Sequence, residues 1–376
     1  MKFPFCGSSC FSSGPKDAII NNSSSWPGEQ SHGNLRLFSS NELRIATQNF
    51  SYSNKIGEGG FGCVYRGLLE DGSVVAVKVL SVENESMRGE REFISEIAAL
   101  SDIRHENLVI LRGCCVDGAN RYLVYDYMEN NSLVHTLLGQ EHNRAKFNWE
   151  ARRGISLGVA RGIAYLHEVV QPHILHRDIK ASNILLDQNF IPKVSDFGLS
   201  RLLRDNKSHV STHVAGTLGY LAPEYAISGR MSRKSDVYSF GVLLLEIISG
   251  RPVVDFDLEH GEHYLVQKAW EAYMGNNLLQ IVDPALHMDF PEEEALRFLM
   301  VGLLCVQETA KLRPRMSTTV TMLSNEDDIK DVQISQPGLL SDLMDIRLRQ
   351  KHSSQRTQTT FSRGSNTTST HSTSYF

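Results

Sequence analysis

Leu175-His-Arg-Asp-Ile-Lys-Ala-Ser-Asn183 is followed by Ser195-Asp-Phe-Gly198 and then by Ala222-Pro-Glu224. Three side chains in these runs have matched chemistry. Asp178 is a carboxylate placed to accept a proton from a hydroxyl, Asn183 offers an amide oxygen to a metal ion, and Asp196 offers a carboxylate to a cation that bridges phosphates. Hard oxygen ligands of this kind suit Mg2+, which keeps several waters and takes few protein ligands. Each run is short enough to arise by chance, so the flanking sequence carries the reading.

Upstream stands Ile56-Gly57-Glu58-Gly59-Gly60-Phe61-Gly62-Cys63-Val64. Glycine is needed where backbone must approach phosphate oxygens and adopt conformations that a Cβ forbids. The G-x-G-x-x-G spacing is shared with dinucleotide-binding folds, and a flexible hairpin would carry it too. A strand and hairpin follow here rather than a helix, which removes the dinucleotide reading and leaves, on this segment alone, a phosphate-covering loop or a mere flexible hairpin. Val75-Ala76-Val77-Lys78 ends on a lysine. A lone lysine in an apolar strand is ordinarily an edge residue that snorkels to water. Glu96 on the following helix alters that, because an ion pair would hold Lys78 against the α- and β-phosphates. Five motifs in this order are not reached by coincidence.

Around these motifs the chain divides in two. A strand-rich region runs to about Tyr127, marked by Val64-Tyr65, the Asp71-Gly72 turn and the β-branched run 74–79. One helix interrupts it, with Phe93, Ile97 and Leu100 on a shared face. Beyond Ser132 the apolar residues recur at helical spacing, as in Ile155, Val159, Ile163 and Leu166. The fold class is therefore α+β, a small antiparallel β lobe with one helix followed by a larger helical lobe. Residues 1–37 read as a disordered arm, and 38–54 as a juxta-domain segment whose helix packs through Leu43, Ile45 and Ala46. Residues 326–376 read as a Ser/Thr-rich disordered tail.

Composition excludes several classes. A net charge of -5 over 376 residues gives no broad basic field, so nucleic acid is not an expected partner. The six cysteines show neither metal-type doublets nor a disulfide scaffold's density. His105-Glu106 would open a zinc-protease motif only with histidine at position 109, where Val109 stands. The apolar run at the start is too short for a signal peptide, and no stretch reaches the ~18 apolar residues of a membrane span. The expectation is an intracellular protein.

Across 55–325 the sequence resembles the eukaryotic protein kinases. The resemblance implies the two-lobed kinase fold, with an N-lobe over 55–128, a C-lobe over 129–325, ATP and Mg2+ in the cleft, and protein substrates. It makes Tyr125 the gatekeeper and Met128 the linker residue whose backbone contacts adenine. Asp236 becomes the buried aspartate that steadies the catalytic loop, and Arg313 the partner of Glu224; the plainer roles are a helix cap and a solvated arginine. Lys180, two residues after Asp178, and Thr217, which would bond both, imply transfer to serine or threonine. A catalytically silent scaffold (a pseudokinase) is the competing reading. Such proteins lose counterparts of Lys78, Asp178 or Asp196, and all three stand here.

Regulation is expected in the segment between Gly198 and Ala222. Arg177 is a cation whose burial calls for an anion. Among Ser208, Ser211, Thr212 and Thr217, the last is assigned structurally, so phosphorylation is expected first at Thr212 and next at Ser211, gripped by Arg177 and Arg201. The plainer alternative is a set of ordinary polar loop hydroxyls. More narrowly, Phe38–Leu43, Asn49-Phe50-Ser51, Tyr122–Met128 and Gly216–Tyr225 are similar to plant receptor-like kinases, especially the receptor-like cytoplasmic branch and its cold-responsive group. That implies an upstream receptor kinase and stress signalling. Cys6 and Cys10, in an arm too unstructured to bury them, are candidate S-acylation sites, which would place the protein at the inner face of the plasma membrane rather than free in the cytoplasm. Cys63, Cys114, Cys115 and Cys305 are expected to pack as small hydrophobes.

Overall fold

The computed structural model describes residues 35–59, 62–81, 88–139, 141–144, 146–204, 207–257, 261–329 and 332–338. Cys6, Cys10, Gly60 and Phe61 lie outside the described residues. Strand β1 (Arg36–Leu37) and helix α1 (Ser40–Ala46) lead into β2 (Lys55–Gly59), β3 (Gly62–Leu68) and β4 (Val74–Ser81). Helix α2 (Arg88–Leu100) precedes β5 (Leu111–Asp117) and β6 (Asn120–Asp126). The sheet order is β1-β5-β6-β4-β3-β2, antiparallel apart from the parallel β1–β5 pair.

Strand alternation decides which side chains reach the cleft. Val75 and Val77 of β4 pack with Leu43, Ala46, Tyr122 and Val124 in a small core. Ala76 and Lys78 point to the other face and line the cleft. In β6 the same alternation sends Leu123 and Tyr125 into the main core. The register opposes Lys78 to Val64 on one side and Leu123 on the other.

The second lobe comprises α3 (Glu141–Arg144), α4 (Trp149–Ala164), β7 (His173–Leu175), β8 (Ile184–Leu186), β9 (Pro192–Val194), β10 (Arg201–Leu203) and β11 (Val210–Ser211). It continues through α5 (Pro223–Ser228), β12 (Arg230–Met231), α6 (Arg233–Ser249), β13 (Val254–Asp257), β14 (Gly261–Tyr264), α7 (Leu265–Met274), α8 (Glu292–Cys305) and α9 (Met316–Leu323). Helix α4 starts at Asn148, whose side chain accepts the Ala151 N–H. From Ser235 to Ser249 every residue of α6 is buried. Its sequence accordingly reads as a near-continuous apolar run rather than a stripe, each large apolar side chain contributing roughly 1.5–3 kcal/mol. A small β lobe followed by a helical lobe is the arrangement the sequence predicts.

Three expectations at the edges need correction. Ile45 of α1 is 62 % exposed, and only Leu43 and Ala46 turn inward. The arm does not run to residue 37 as free chain, because Arg36 and Leu37 pair with Gly113 and Cys114. Only a bare residue fits opposite: a Cβ on Gly113 would stand 2.0 Å from the Arg36 carbonyl oxygen. Nor does the tail begin at 326, since Ile329 and Ile334 are buried and the Gly338 N–H still bonds the Val306 carbonyl.

Candidate active site

A cavity of about 450 Å³ opens between the sheet and the helical lobe. Ile56, Gly57, Glu58, Gly59, Gly62 and Val64 form one wall, Met128 and Tyr125 stand at the back, and Lys180, Asn183 and Asp196 form the floor. At Gly62, with φ +133°, a Cβ would meet the Val79 carbonyl oxygen at 2.0 Å, so no other residue keeps this path. Cys63 departs from expectation: its side chain does not line the cavity, because the pleat that points Val64 inward turns its neighbour out.

Lys78 is the centre of the ionic geometry. Its ammonium lies 2.5 Å from Glu96 Oε1 and 2.9 Å from Asp196 Oδ1. Burial alone would lower the Lys78 pKa, but Glu96 and Asp196 together hold it above the ordinary lysine value. Burial would likewise raise the Asp196 carboxyl, and the Lys78 charge and hydrogen bond hold it below the usual carboxylate range. The Tyr125 hydroxyl donates to Glu96 Oε2. Both oxygens of Glu96 are thus engaged, which fixes α2 against β4 and β6.

Below the lysine, Asp178 sits in a closed set of bonds. Thr217 Oγ1 donates to Asp178 Oδ1 at 2.9 Å, and Lys180 Nζ reaches Thr217 Oγ1 and Asp178 Oδ2 at 2.8 Å each. Asn183 Nδ2 donates to the Asp178 carbonyl at 2.8 Å and to Oδ2 at 3.1 Å. The backbone here is held from behind. Asp236 accepts the N–H groups of His176 and Arg177, each at 2.8 Å, and bonds His167 Nε2 at 2.8 Å. Arg177 has φ +78°, a left-handed conformation costing on the order of 1–3 kcal/mol that the Asp236 bonds over-determine.

The donor set fits a divalent cation. Asn183 spends its amide nitrogen on Asp178, which leaves Oδ1 as a ligand, and Asp196 spends Oδ1 on Lys78, which leaves Oδ2. Among the described residues no group of three or more His, Cys, Asp or Glu forms a protein-only metal cage.

The segment from Gly198 to Glu224 is anchored at both ends. The buried Arg177 guanidinium takes neutral partners: the Tyr225 hydroxyl at 2.7 Å, the Leu199 carbonyl at 3.4 Å, and the His213 carbonyl. Arg201 bonds Ser95 Oγ at 3.3 Å and the Ser200 carbonyl at 2.7 Å. Burial, then the nearby Arg177 and Arg91 charges, lower its pKa. Thr212 is half-buried, with its N–H on the Gly229 carbonyl at 2.9 Å, and directly precedes His213, whose carbonyl Arg177 holds. Ser211 is exposed in the β11–β12 pair, and Ser208 is exposed. Farther on, Arg313 holds Glu224 bidentately at 2.8 and 2.9 Å.

Several participants escape a reading of the sequence. Tyr225 on Arg177, Arg91 near Arg201, and Tyr220 on the buried Glu246 at 2.5 Å carry no motif of their own. Two of them follow Gly219 and Glu224 directly, and that position beside a motif is the one signal they offer.

With this geometry in place, the comparisons with known proteins are consistent with each other. Residues 50–321 match the protein kinase domain family. The chain is 55 % identical over 318 residues to cold-responsive protein kinase 1 of Arabidopsis thaliana, covering 84 % of this chain and 81 % of that protein. It is 63 % identical over 243 residues to a putative serine/threonine-protein kinase of Helianthus annuus, covering 65 % of this chain and all of that protein. A probable LRR receptor-like serine/threonine-protein kinase of Arabidopsis thaliana is 51 % identical over 306 residues, a match that spans 29 % of its length.

Proposed function

This chain belongs to the protein kinase family and is a serine/threonine protein kinase, and on that premise we propose how its residues divide the work. ATP supplies the transferable γ-phosphate, and Mg2+ neutralises the phosphate charge. The glycine-rich strands β2 and β3 cover the phosphates, Met128 offers its backbone to the adenine, and Lys78 holds the α- and β-phosphates while Glu96 holds Lys78. Asp196 Oδ2 and Asn183 Oδ1 would hold the metal. Asp178 orients a serine or threonine hydroxyl of the protein substrate and accepts its proton. Lys180 steadies the transferring group, and Thr217 keeps Lys180 and Asp178 in register.

The observation that carries this assignment is the joined set Lys78–Glu96–Asp196 in one cleft with Lys180 and Asn183, both of which bond Asp178. A catalytically silent scaffold has no need of it. Transfer of labelled phosphate to a generic basic protein, compared with Asp196→Asn, tests the assignment. Equal incorporation by the two proteins would overturn it.

An upstream receptor kinase and a role in stress signalling are supported by the names of the cold-responsive and receptor-like relatives. Among the described residues no helix is long and apolar enough to cross a membrane. Attachment to the inner face of the plasma membrane would come from S-acylation of Cys6 and Cys10, two chains being what firm anchoring needs. Replacing both cysteines by serine should move the protein from the membrane to the soluble fraction. A wild-type protein recovered wholly in the soluble fraction of its own cells would refute the attachment.

A further inference from the structure

Past α9 the chain turns back along the lobe. Glu308 N–H donates to the Gln336 carbonyl at 3.0 Å and Gly338 N–H to the Val306 carbonyl at 3.1 Å, an antiparallel bridge centred on Gln307 and Pro337. Gln307 is 2 % exposed, and its Oε1 accepts both the N–H and the hydroxyl of Ser335, at 3.0 and 2.8 Å. Its own amide donates to the carbonyls of Leu304 and Leu312.

The end of this run lands on the foot of the activation segment. A Cβ on Gly338 would stand 2.7 Å from Pro223 Cγ, so the Pro223 ring packs on the bare Gly338 backbone with no room for a side chain between them. The Gly338 carbonyl accepts the Tyr238 hydroxyl at 2.6 Å. The Arg313 guanidinium lies over the Tyr238 ring, 5.0 Å from its centroid, and its Nε donates to the Gln307 carbonyl at 2.7 Å. Residues 332–338 therefore touch Pro223 directly and reach the Glu224–Arg313 pair through Tyr238 and Gln307.

We propose that Ile329 and residues 332–338 form a clasp that positions the activation segment for the protein substrate. Burial of Ile329 and Ile334 accounts for attachment, but it requires neither the Gly338–Pro223 fit nor the Tyr238 bond. The first acts directly on α5, the helix that ends the segment, and the second reaches Glu224 of that helix through Arg313, which lies over the Tyr238 ring. Thr217, which bonds Asp178 and Lys180, and the exposed Leu218 lie on the same piece of chain just before Pro223. The nucleotide side, built from Lys78, Met128 and Asp196, makes no contact with the clasp in the bonds described. Loss of the clasp should therefore impair use of the protein substrate and spare ATP.

The proposal rests on the catalytic reading above, so its test includes a measurement independent of catalysis. The full chain is compared with a form lacking residues 329–376, a form lacking 346–376, and Tyr238→Phe. Removal of 329–376 should lower kcat/KM for a generic basic protein at least tenfold while KM for ATP stays within twofold. Amide hydrogen exchange at Ala226 and Gly229 should quicken at least tenfold, with Asn183 unchanged. Tyr238→Phe should move the same quantities at least threefold, and removal of 346–376 should move none. Unchanged exchange at Ala226 and Gly229 would overturn the clasp, and so would an equal loss for ATP and protein with faster exchange across the lobe. Inactivity of the wild type would sink the catalytic reading instead, with the exchange result still deciding on the clasp.

Discussion

Asp178 is tied by Thr217, Lys180 and Asn183 before any substrate arrives, so its substitution separates positioning from nucleotide binding. General-base and orienting contributions of this kind amount to about 10²–10⁴-fold. Asp178→Asn should lose at least that much turnover while the Kd for ATP stays within about threefold. Lys78→Met should abolish turnover as well, but by loosening the phosphates and leaving Glu96 and Asp196 without their shared cation. Steady-state assays paired with calorimetric ATP titration distinguish the two. A tenth of wild-type turnover in Asp178→Asn would show that the role is misassigned. The residues in short motifs were legible because their chemistry is concentrated within a few positions. Tyr125 was legible as a cleft residue but not as the second partner of Glu96, and Glu246 not as the partner of Tyr220. Those pairs join residues 29 and 26 apart that meet only once strand and helix pack.

Among the elements, the activation segment makes the sharpest demand, since Arg177, Arg201 and Arg91 gather beside it. Arg177 is buried against neutral oxygens alone. A phosphate on Thr212 would bring about -1.5 to -2 charges and three strong acceptors to that group. Thr212→Ala should lower activity tenfold or more without loss of fold, and phosphatase treatment of the wild type should do the same. Arg177→Ala should be insensitive to the phosphatase. Full activity in protein shown by mass spectrometry to carry no activation-segment phosphate would dispose of the switch. Helix α4, with its long period, was legible from the spacing of its apolar residues. Helix α1 was legible in place but not in facing, because seven residues give less than two full turns from which to choose a face, and Ile45 fell on the wrong side.

For the molecule as a whole, two lobes and a cleft followed from the change of apolar period along the chain. The outer limits did not. Arg36-Leu37 gains its place from pairing with β5, and residues 332–338 gain theirs from the buried Ile334, with Val332 packed against the same core and Ile329 buried just before. A composition average over such a stretch hides them. Another property of the whole is the pH dependence of its stability, where Glu246 stands out. It sits in fully buried α6, and burial pushes its carboxyl up to about 8 against the lowering effect of bonds from Tyr220 and the Val253 N–H. In the unfolded chain the same group titrates near its ordinary value of 4.5. Between 4.5 and about 8 the folded protein therefore holds a proton that the unfolded chain has released. Stability contributed by this site is full below that window, falls as pH rises through it, and levels off above it. Carboxylates with lowered values, such as Asp196, act in the opposite direction at acid pH, so the wild-type curve alone does not isolate Glu246. Comparison with Glu246→Gln does, because the amide imitates the protonated carboxyl, its oxygen accepting from the Val253 N–H and its NH2 donating to the Tyr220 oxygen, and has no proton to lose. The difference in urea midpoint between variant and wild type should grow in the variant's favour from pH 5 to pH 8.5, by the equivalent of roughly 1.4 kcal/mol for each unit by which the pKa is raised. Parallel curves over that range would mean that Glu246 titrates normally and that water reaches the centre of α6.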